Sequence, residues 1–247
     1  MSDLNQDWFV SWFDTNYYHL LYKNRDDAEA QNFMLRLIRH LHIPIHSKVL
    51  DLACGKGRHS IFLAQNQLQV KGIDLSENSI SHAQKFSNEY LEFSVQDMRD
   101  SFGSEEFDYI FNLFTSFGYF GTLEEHTKVL KNVFDALKPN GIFVLDYFNV
   151  SKAISVLPVH EEKVIENINF SIHKFKENDT IVKSIKILDN GKEFEFFERV
   201  KAFDDKILIE IFKNVGFELE TKFNNYMLEK DSSDDSRAIY ILKKSQS

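Results

Sequence analysis

Strands alternating with helices over the first 146 residues predict an α/β fold: a mostly parallel sheet with helices on both faces. Three observations carry that prediction. Residues 48–60 run from an apolar strand (Val49, Leu50, Leu52) through a turn with Gly55 and Gly57 into a helical pattern at residues 61–64. A second apolar run, residues 70–73, ends on Asp74, 23 residues after Asp51. Further strand-like and helix-like stretches follow one another as far as Asp146. Strand, glycine turn, helix, strand and terminal acid make a nucleotide-binding half-fold. Glycines let the backbone approach a ligand, and an acid at the second strand's tip can accept both ribose hydroxyls.

The first element is an arm over residues 1–24, rich in aromatics: Trp8, Phe9, Trp12, Phe13, Tyr17, Tyr18 and Tyr22. Residues 25–42 place Phe33, Leu35, Leu37, Ile38 and Leu41 at helical spacing, and Pro44 stops that helix. Strand 48–52, helix 58–66, strand 69–73 and a helix 77–88 capped by Ser76 follow. Next come strands 91–95 and 107–113, helix 122–137 and strand 141–146, with Lys138, Pro139, Asn140 and Gly141 as the turn between the last two.

Beyond Asp146 the pattern changes. Residues 180–188 and 192–200 are β-rich and flank Asn190-Gly191, a strong hairpin signal. Residues 150–203 therefore read as a mostly antiparallel insertion. Helix 204–215, closed by Gly216, returns to a main domain of residues 25–149 and 204–247 and leads into strands near 217–223 and 237–243.

The spacing of the first turn also bears on the ligand. A dinucleotide fingerprint needs a third glycine, and that position holds Ser60. Asp51 sits four residues before Gly55, where its carboxylate would repel a diphosphate and attract a cation. Asp51-Leu-Ala53-Cys54-Gly55-Lys-Gly57, followed by Gly72-Ile-Asp74-Leu75-Ser76, resembles the motifs of class I S-adenosylmethionine-dependent methyltransferases. The resemblance spans roughly residues 25–150 and 204–245. It implies a Rossmann-like, seven-stranded sheet whose last strand is antiparallel, an antiparallel insertion after strand five and an aromatic N-terminal arm. It also implies S-adenosyl-L-methionine as cofactor.

Composition narrows the function classes. Twenty-nine basic against 38 acidic residues leave a net charge of −9 without a basic cluster, which disfavours a nucleic-acid partner. The single cysteine, Cys54, forms no internal disulfide and fits a reducing compartment. The first residues lack the pattern of a secretory leader, and the longest apolar run is too short for a bilayer, so a cytoplasmic protein is expected. The nine histidines show no metal-ligand spacing, and no metal is predicted.

Ligands bind beyond the carboxyl ends of parallel strands. From the resemblance, Asp74 would take the ribose, Asp97 the adenine amino group, and Leu75 and Met98 the faces of the base, with Gln96 beside them. Ala53, Cys54, Gly55 and Gly57 would form the loop under the cofactor, and Asn112 the tip of the fourth strand. Cys54 reads as small-residue packing, because His59, the nearest base, reads as part of a solvated helix face with Arg58. Tyr22 would lie near the sulfonium, and either Lys23 or Arg25, with Arg25 preferred, would pair with the methionine carboxylate of the cofactor.

Asn112-Leu-Phe-Thr-Ser-Phe-Gly-Tyr119-Phe-Gly121 is an aromatic, hydroxyl-rich segment after the fourth strand. It resembles that of small-molecule N-methyltransferases acting on amino sugars, which puts Tyr119 beside the acceptor and Tyr18 beside the sulfonium. His126, Asp146 and Tyr147 are further candidates to take a proton from an amine acceptor, and the sequence selects no general base. The expected acceptor is a small molecule, methylated at nitrogen more than at oxygen. The insertion would roof it and could also pair two copies into a homodimer.

Three alternatives remain open. One is an RNA or protein methyltransferase, of which the common nucleic-acid amino-methylating type is disfavoured because Asn112 is not followed by its Pro-Pro-aromatic motif. A catalytically inactive, methyltransferase-like nucleoside-binding protein is countered by the intact turn and Asp74. A nicotinamide-dependent dehydrogenase is countered by Ser60 and Asp51.

Overall fold

The computed structural model describes residues 8–23, 27–231 and 235–245. Two short helices, α1 (Trp8–Phe13) and α2 (Asn16–Leu21), open the described chain, followed by α3 (Asp27–His40). The core then runs β1 (Lys48–Leu52), α4 (Arg58–Gln65), β2 (Gln69–Asp74), α5 (Glu77–Ala83), β3 (Leu91–Val95), β4 (Phe107–Asn112), α6 (Leu123–Ala136) and β5 (Leu137–Phe148). After α7 (Val150–Ser155) come four strands, β6 (Val159–Ile165), β7 (Ile168–Glu177), β8 (Thr180–Asp189) and β9 (Lys192–Lys201). Helix α8 (Asp205–Val215), β10 (Phe217–Phe223) and β11 (Arg237–Lys244) complete the fold.

Seven strands form the main sheet in the order β10-β11-β5-β4-β1-β2-β3. β1 pairs in parallel with β2 and β4, while β11 runs antiparallel to both β5 and β10. The order reverses between β1 and β4, the switch point at which parallel sheets leave a crevice. One apolar layer joins α3, α4 and α5 to one face through Phe33, Met34, Leu37, Leu63 and Ile80. Another joins α6 and α8 to the opposite face through Leu130, Val133, Leu208 and Phe212. Burial on both faces explains why β4 and β5 read as continuous apolar runs instead of alternating ones.

Local sequence sets the element ends. Thr122 and Glu125 form a reciprocal capping box at the start of α6, and Asp204 caps α8 through the Ile207 amide. Several expected boundaries shift, most by one or two residues. The helix expected over 77–88 stops at Ala83 and continues only as a 3₁₀ turn, Gln84–Phe86. Residues 138–141 belong to β5, where Asn140 takes a positive φ of 64° and the pairing with β4 slips between Phe107 and Tyr109. Strand β4 ends at Asn112, one residue early. The segment after Asp146 begins with α7 before its antiparallel sheet, β6-β7-β8-β9. No helix among the described residues is long and apolar enough to cross a membrane.

The arm lies between the two sheets. Asp14 accepts hydrogen bonds from Ser76 Oγ at 2.7 Å and Asn78 Nδ2 at 2.6 Å, tying it to the start of α5. Tyr17 donates to Asp189 at 2.9 Å, tying it to the hairpin of β8 and β9.

Candidate active site

A cavity of about 470 Å³ opens beyond the carboxyl ends of β1, β2 and β4. Its floor is the loop after β1. Ala53 adopts a left-handed φ of 62° and turns the chain sharply off the strand, while the Cys54 amide donates to Ile73 O at 3.0 Å. Gly57, at φ 82°, starts α4, and a Cβ there would lie 2.6 Å from the Phe93 ring, so only glycine fits. Ser60, standing where a dinucleotide site keeps glycine, donates to Asp51 Oδ2 at 2.5 Å.

Both acids of this corner are engaged. Asp74 Oδ2 accepts from the Gly55 amide at 2.7 Å, and Oδ1 from the Ser76 amide at 2.9 Å. One carboxylate thereby fixes the glycine loop and the entry to α5, with lone pairs left for a ligand. Burial raises the Asp51 carboxyl to about 6 against the opposing Ser60 hydroxyl. Burial raises Asp74 as well, opposed by the Ser76 and Gly55 amides. The Cys54 thiol is pushed well up by burial and then by Asp51 and Asp74, so it is no nucleophile.

The second strip of the wall follows β3 and β4. Gln96, Asp97 and Met98 line the cavity with Leu75. Arg99 holds Asp97 Oδ1 through its amide at 2.8 Å and Oδ2 through Nη2 at 2.7 Å, with Nε reaching both. Burial resists ionisation of Asp97, but Arg99 outweighs it and holds the carboxyl below its ordinary range. Arg99 thus engages both oxygens of a carboxylate that also lines the cavity.

The loop after β4 is strained and braced. Phe114 and Thr115 both have positive φ, 57° and 59°. Asp146 on β5 accepts from the Phe114 amide at 2.8 Å, and Arg237 on β11 bridges Asp146 Oδ1 at 2.6 Å and Thr115 Oγ1 at 2.8 Å. This brace aims Phe114, Ser116, Tyr119 and Phe120 at the cavity. The Tyr119 hydroxyl turns back onto Thr115 O, leaving its ring as the wall against Trp8 at 5.3 Å and Phe13 at 5.5 Å. From the arm come Trp8, Phe13, Tyr18 and Tyr22, and from β9 come Glu198 and Val200.

Of the residues assigned from sequence, Tyr18, Tyr22, Asp51, Ala53, Cys54, Gly55, Asp74, Leu75, Gln96, Asp97, Met98 and Tyr119 meet at this cavity. Lys23, the other basic option, lines it too. Gly57 shapes the loop from behind. Asn112 is buried below the floor, where Nδ2 donates to Leu52 O at 3.0 Å and braces β4 against β1. Arg25 falls outside the described residues. His126, Asp146 and Tyr147 do not line the cavity: His126 is buried against Thr122 O and the Phe203 ring, and Tyr147 donates to Lys201 O.

His59 and Glu198 are among the lining residues that the sequence pattern did not announce. His59 is buried, not solvated, and stacks on Phe114 at 4.9 Å. The fold brings that ring from a distant loop, so no local pattern announces it. Glu198 did leave a trace: Phe194, Phe196, Glu198 and Val200 alternate along β9, a lone acid on an otherwise apolar face.

Comparison with known proteins agrees with this geometry. A methyltransferase-domain family matches residues 45–216. The putative methyltransferase YqeM of Bacillus subtilis (strain 168) is 30% identical over 214 residues, 83% of this chain and 87% of that protein. The dTDP-3-amino-3,4,6-trideoxy-alpha-D-glucopyranose N,N-dimethyltransferase of Streptomyces venezuelae is 30% identical over 131 residues, about half of each chain (52% and 54%). The crystal structure of an S-adenosylmethionine-dependent methyltransferase from Clostridium acetobutylicum ATCC 824 matches with a TM-score of 0.78 at 22% identity, covering 93% of this chain and 96% of that one. The chain belongs to the methyltransferase-domain family and has the class I fold. It is an S-adenosylmethionine-dependent methyltransferase, with S-adenosylmethionine as methyl donor.

Proposed function

We propose that this methyltransferase acts on the amine nitrogen of a small-molecule acceptor. The observation that carries the reading is the shape and charge of the cavity at the switch point. Two buried acids stand at its β1–β2 corner, aromatic rings line the opposite wall, and the arm and β9 cover it. Its volume suits small ligands, and such a roofed cleft favours a small acceptor over a nucleic-acid strand. The net charge of −9 points the same way. Likeness to an amino-sugar N,N-dimethyltransferase supports nitrogen as the methylated atom. The single buried cysteine fits a cytoplasmic setting.

Residues of this chain fit the donor. Asp74 offers its free lone pairs to ribose hydroxyls while Gly55 and Ser76 hold it in place. Asp51 balances positive charge from beneath the loop, and Ala53, Cys54 and Gly55 keep the floor small. Leu75 and Met98 supply apolar faces for the base, with Gln96 at the edge. Tyr22 and Lys23 stand at the arm end, where the amino-acid portion would lie. S-adenosylmethionine supplies a methyl group already activated on a positive sulfur. The protein's task is then alignment and the exclusion of water. Rings of Tyr18 and Tyr119 line the cavity and would stabilise that charge, since an aromatic face favours a cation.

A labelled-methyl assay over aliphatic amines, amino sugars and RNA tests the reading. Label is expected on an amine and not on RNA. Transfer to RNA alone would overturn it.

A further inference from the structure

The inner face of the insertion carries two charges that its folding does not require. On β9, Phe194, Phe196, Glu198 and Val200 share one face. The register sets Lys183 of β8 opposite Glu198, between the apolar pairs Ile181–Val200 and Ile185–Phe196. Their side chains are only 14% and 17% exposed, with Lys183 Nζ 3.5 Å from Glu198 Oε2. Removing two charges from water is costly, and an apolar pair of similar size would stabilise the sheet as well or better. Their presence therefore calls for another reason.

The arm supplies it. Glu198 Oε1 accepts from Trp12 Nε1 at 2.8 Å and from the Tyr22 hydroxyl at 2.6 Å. The Lys183 ammonium donates to the same Tyr22 oxygen and lies 4.5 Å from the centre of its ring. Tyr22 and Glu198 line the cavity, while Lys183 and Trp12 stand behind them. Other links between arm and insertion differ in kind. The Lys23–Glu166 pair is 40% and 65% exposed, and such pairs contribute little. The buried knot at Glu198 thus fixes how the arm meets the insertion at the cavity wall.

We propose that Glu198 is a positioning residue of the methyl-transfer site, holding the Tyr22 hydroxyl and the Trp12 indole so that arm and insertion form one wall across donor and acceptor. The proposal rests on the reading that the donor occupies this cavity. Burial lowers the Lys183 pKa, and the Glu198 carboxylate beside it opposes that shift.

The chain's two tryptophans, Trp8 and Trp12, both lie in the arm, so their fluorescence reports on it directly. S-adenosylhomocysteine is titrated by that signal into the wild type, Y22F, E198A, E198Q and the double variant Y22F/E198A, with thermal unfolding recorded for each. E198A and Y22F are each expected to weaken binding about tenfold, as loss of a charge-assisted hydrogen bond does. The double variant should be no weaker than E198A, because Glu198 acts through Tyr22. E198Q keeps an acceptor oxygen and should stay within about threefold of the wild type. Binding by E198A within twofold of wild type, losses that multiply in the double variant, or an E198Q as weak as E198A would each overturn the proposal. If E198A does not fold, Y22F decides alone: tenfold weaker binding supports the proposal and less than twofold overturns it. A wild type that does not bind S-adenosylhomocysteine overturns the donor reading and this proposal with it.

Discussion

Asp51 shows how a single side chain can trade stability for affinity. Burial raises its folded-state pKa to about 6 from the ordinary 3.8. Between those values the native state holds more protons than the unfolded chain, so this group's contribution to stability falls as pH rises through the window. A shift of about two units corresponds to roughly 3 kcal/mol. Asp51→Asn, which can still meet the Ser60 hydroxyl, should therefore be up to about 3 kcal/mol more stable than wild type at pH 8 and no different near pH 3.5. Denaturant unfolding at the two pH values checks this. A bound cation reverses the preference by favouring the carboxylate, so affinity for S-adenosylmethionine should weaken as pH drops below 6, measurable by calorimetry at pH 5 and 8. Asp74 holds the Gly55 and Ser76 amides as well as facing the cavity. Asp74→Ala should abolish measurable donor binding, and near-normal affinity would refute its assignment.

Among the elements, the loop after β4 shows the greatest dependence on distant support. Two consecutive non-glycine residues in the left-handed region cost of order 1–3 kcal/mol each and persist only where surroundings over-determine them. Here those surroundings are Asp146 and Arg237, from β5 and β11. Removing one partner strands a buried charge, so Arg237→Ala should destabilise the fold by about 3–5 kcal/mol and disorder the Tyr119 wall. A lower Tm together with a shifted Tyr119 environment by NMR would register both effects. Gly118, between that loop and Tyr119, has φ 96°, and a Cβ there would sit 2.5 Å from Tyr147 Oη. Gly118→Ala should therefore weaken acceptor-side function more than donor binding, since Tyr147 stands away from the β1–β2 corner.

For the molecule as a whole, the cavity lies where three separately built parts converge, so occupancy should stabilise all of them together. A ligand at about 100 times its Kd adds roughly 2.7 kcal/mol, and for a chain this size that is a rise of about 5–10 °C in Tm. S-adenosylmethionine and S-adenosylhomocysteine should each produce this shift in a thermal melt, whereas NAD should produce none.

Much of this was legible in the residue order, for local reasons. Strands 48–52 and 91–95 and the Asn190-Gly191 turn were readable to the residue because turn chemistry and apolar spacing act over a few positions. Asp51, Ser60 and Asp74 declared the floor of the site because loop and strand tips are consecutive in sequence. The ring stacked on His59, the Arg99 clamp on Asp97, the Arg237 brace and the arm contacts of Glu198 join residues tens to nearly two hundred positions apart or follow from side-chain direction. The sequence by itself determined the layered α/β scaffold and the acidic residues of the β1–β2 corner, since both follow from short-range pattern. Only the tertiary structure decided which side chains wall the cavity and which are spent on one another, because burial and partner choice arise only when distant strands are packed together.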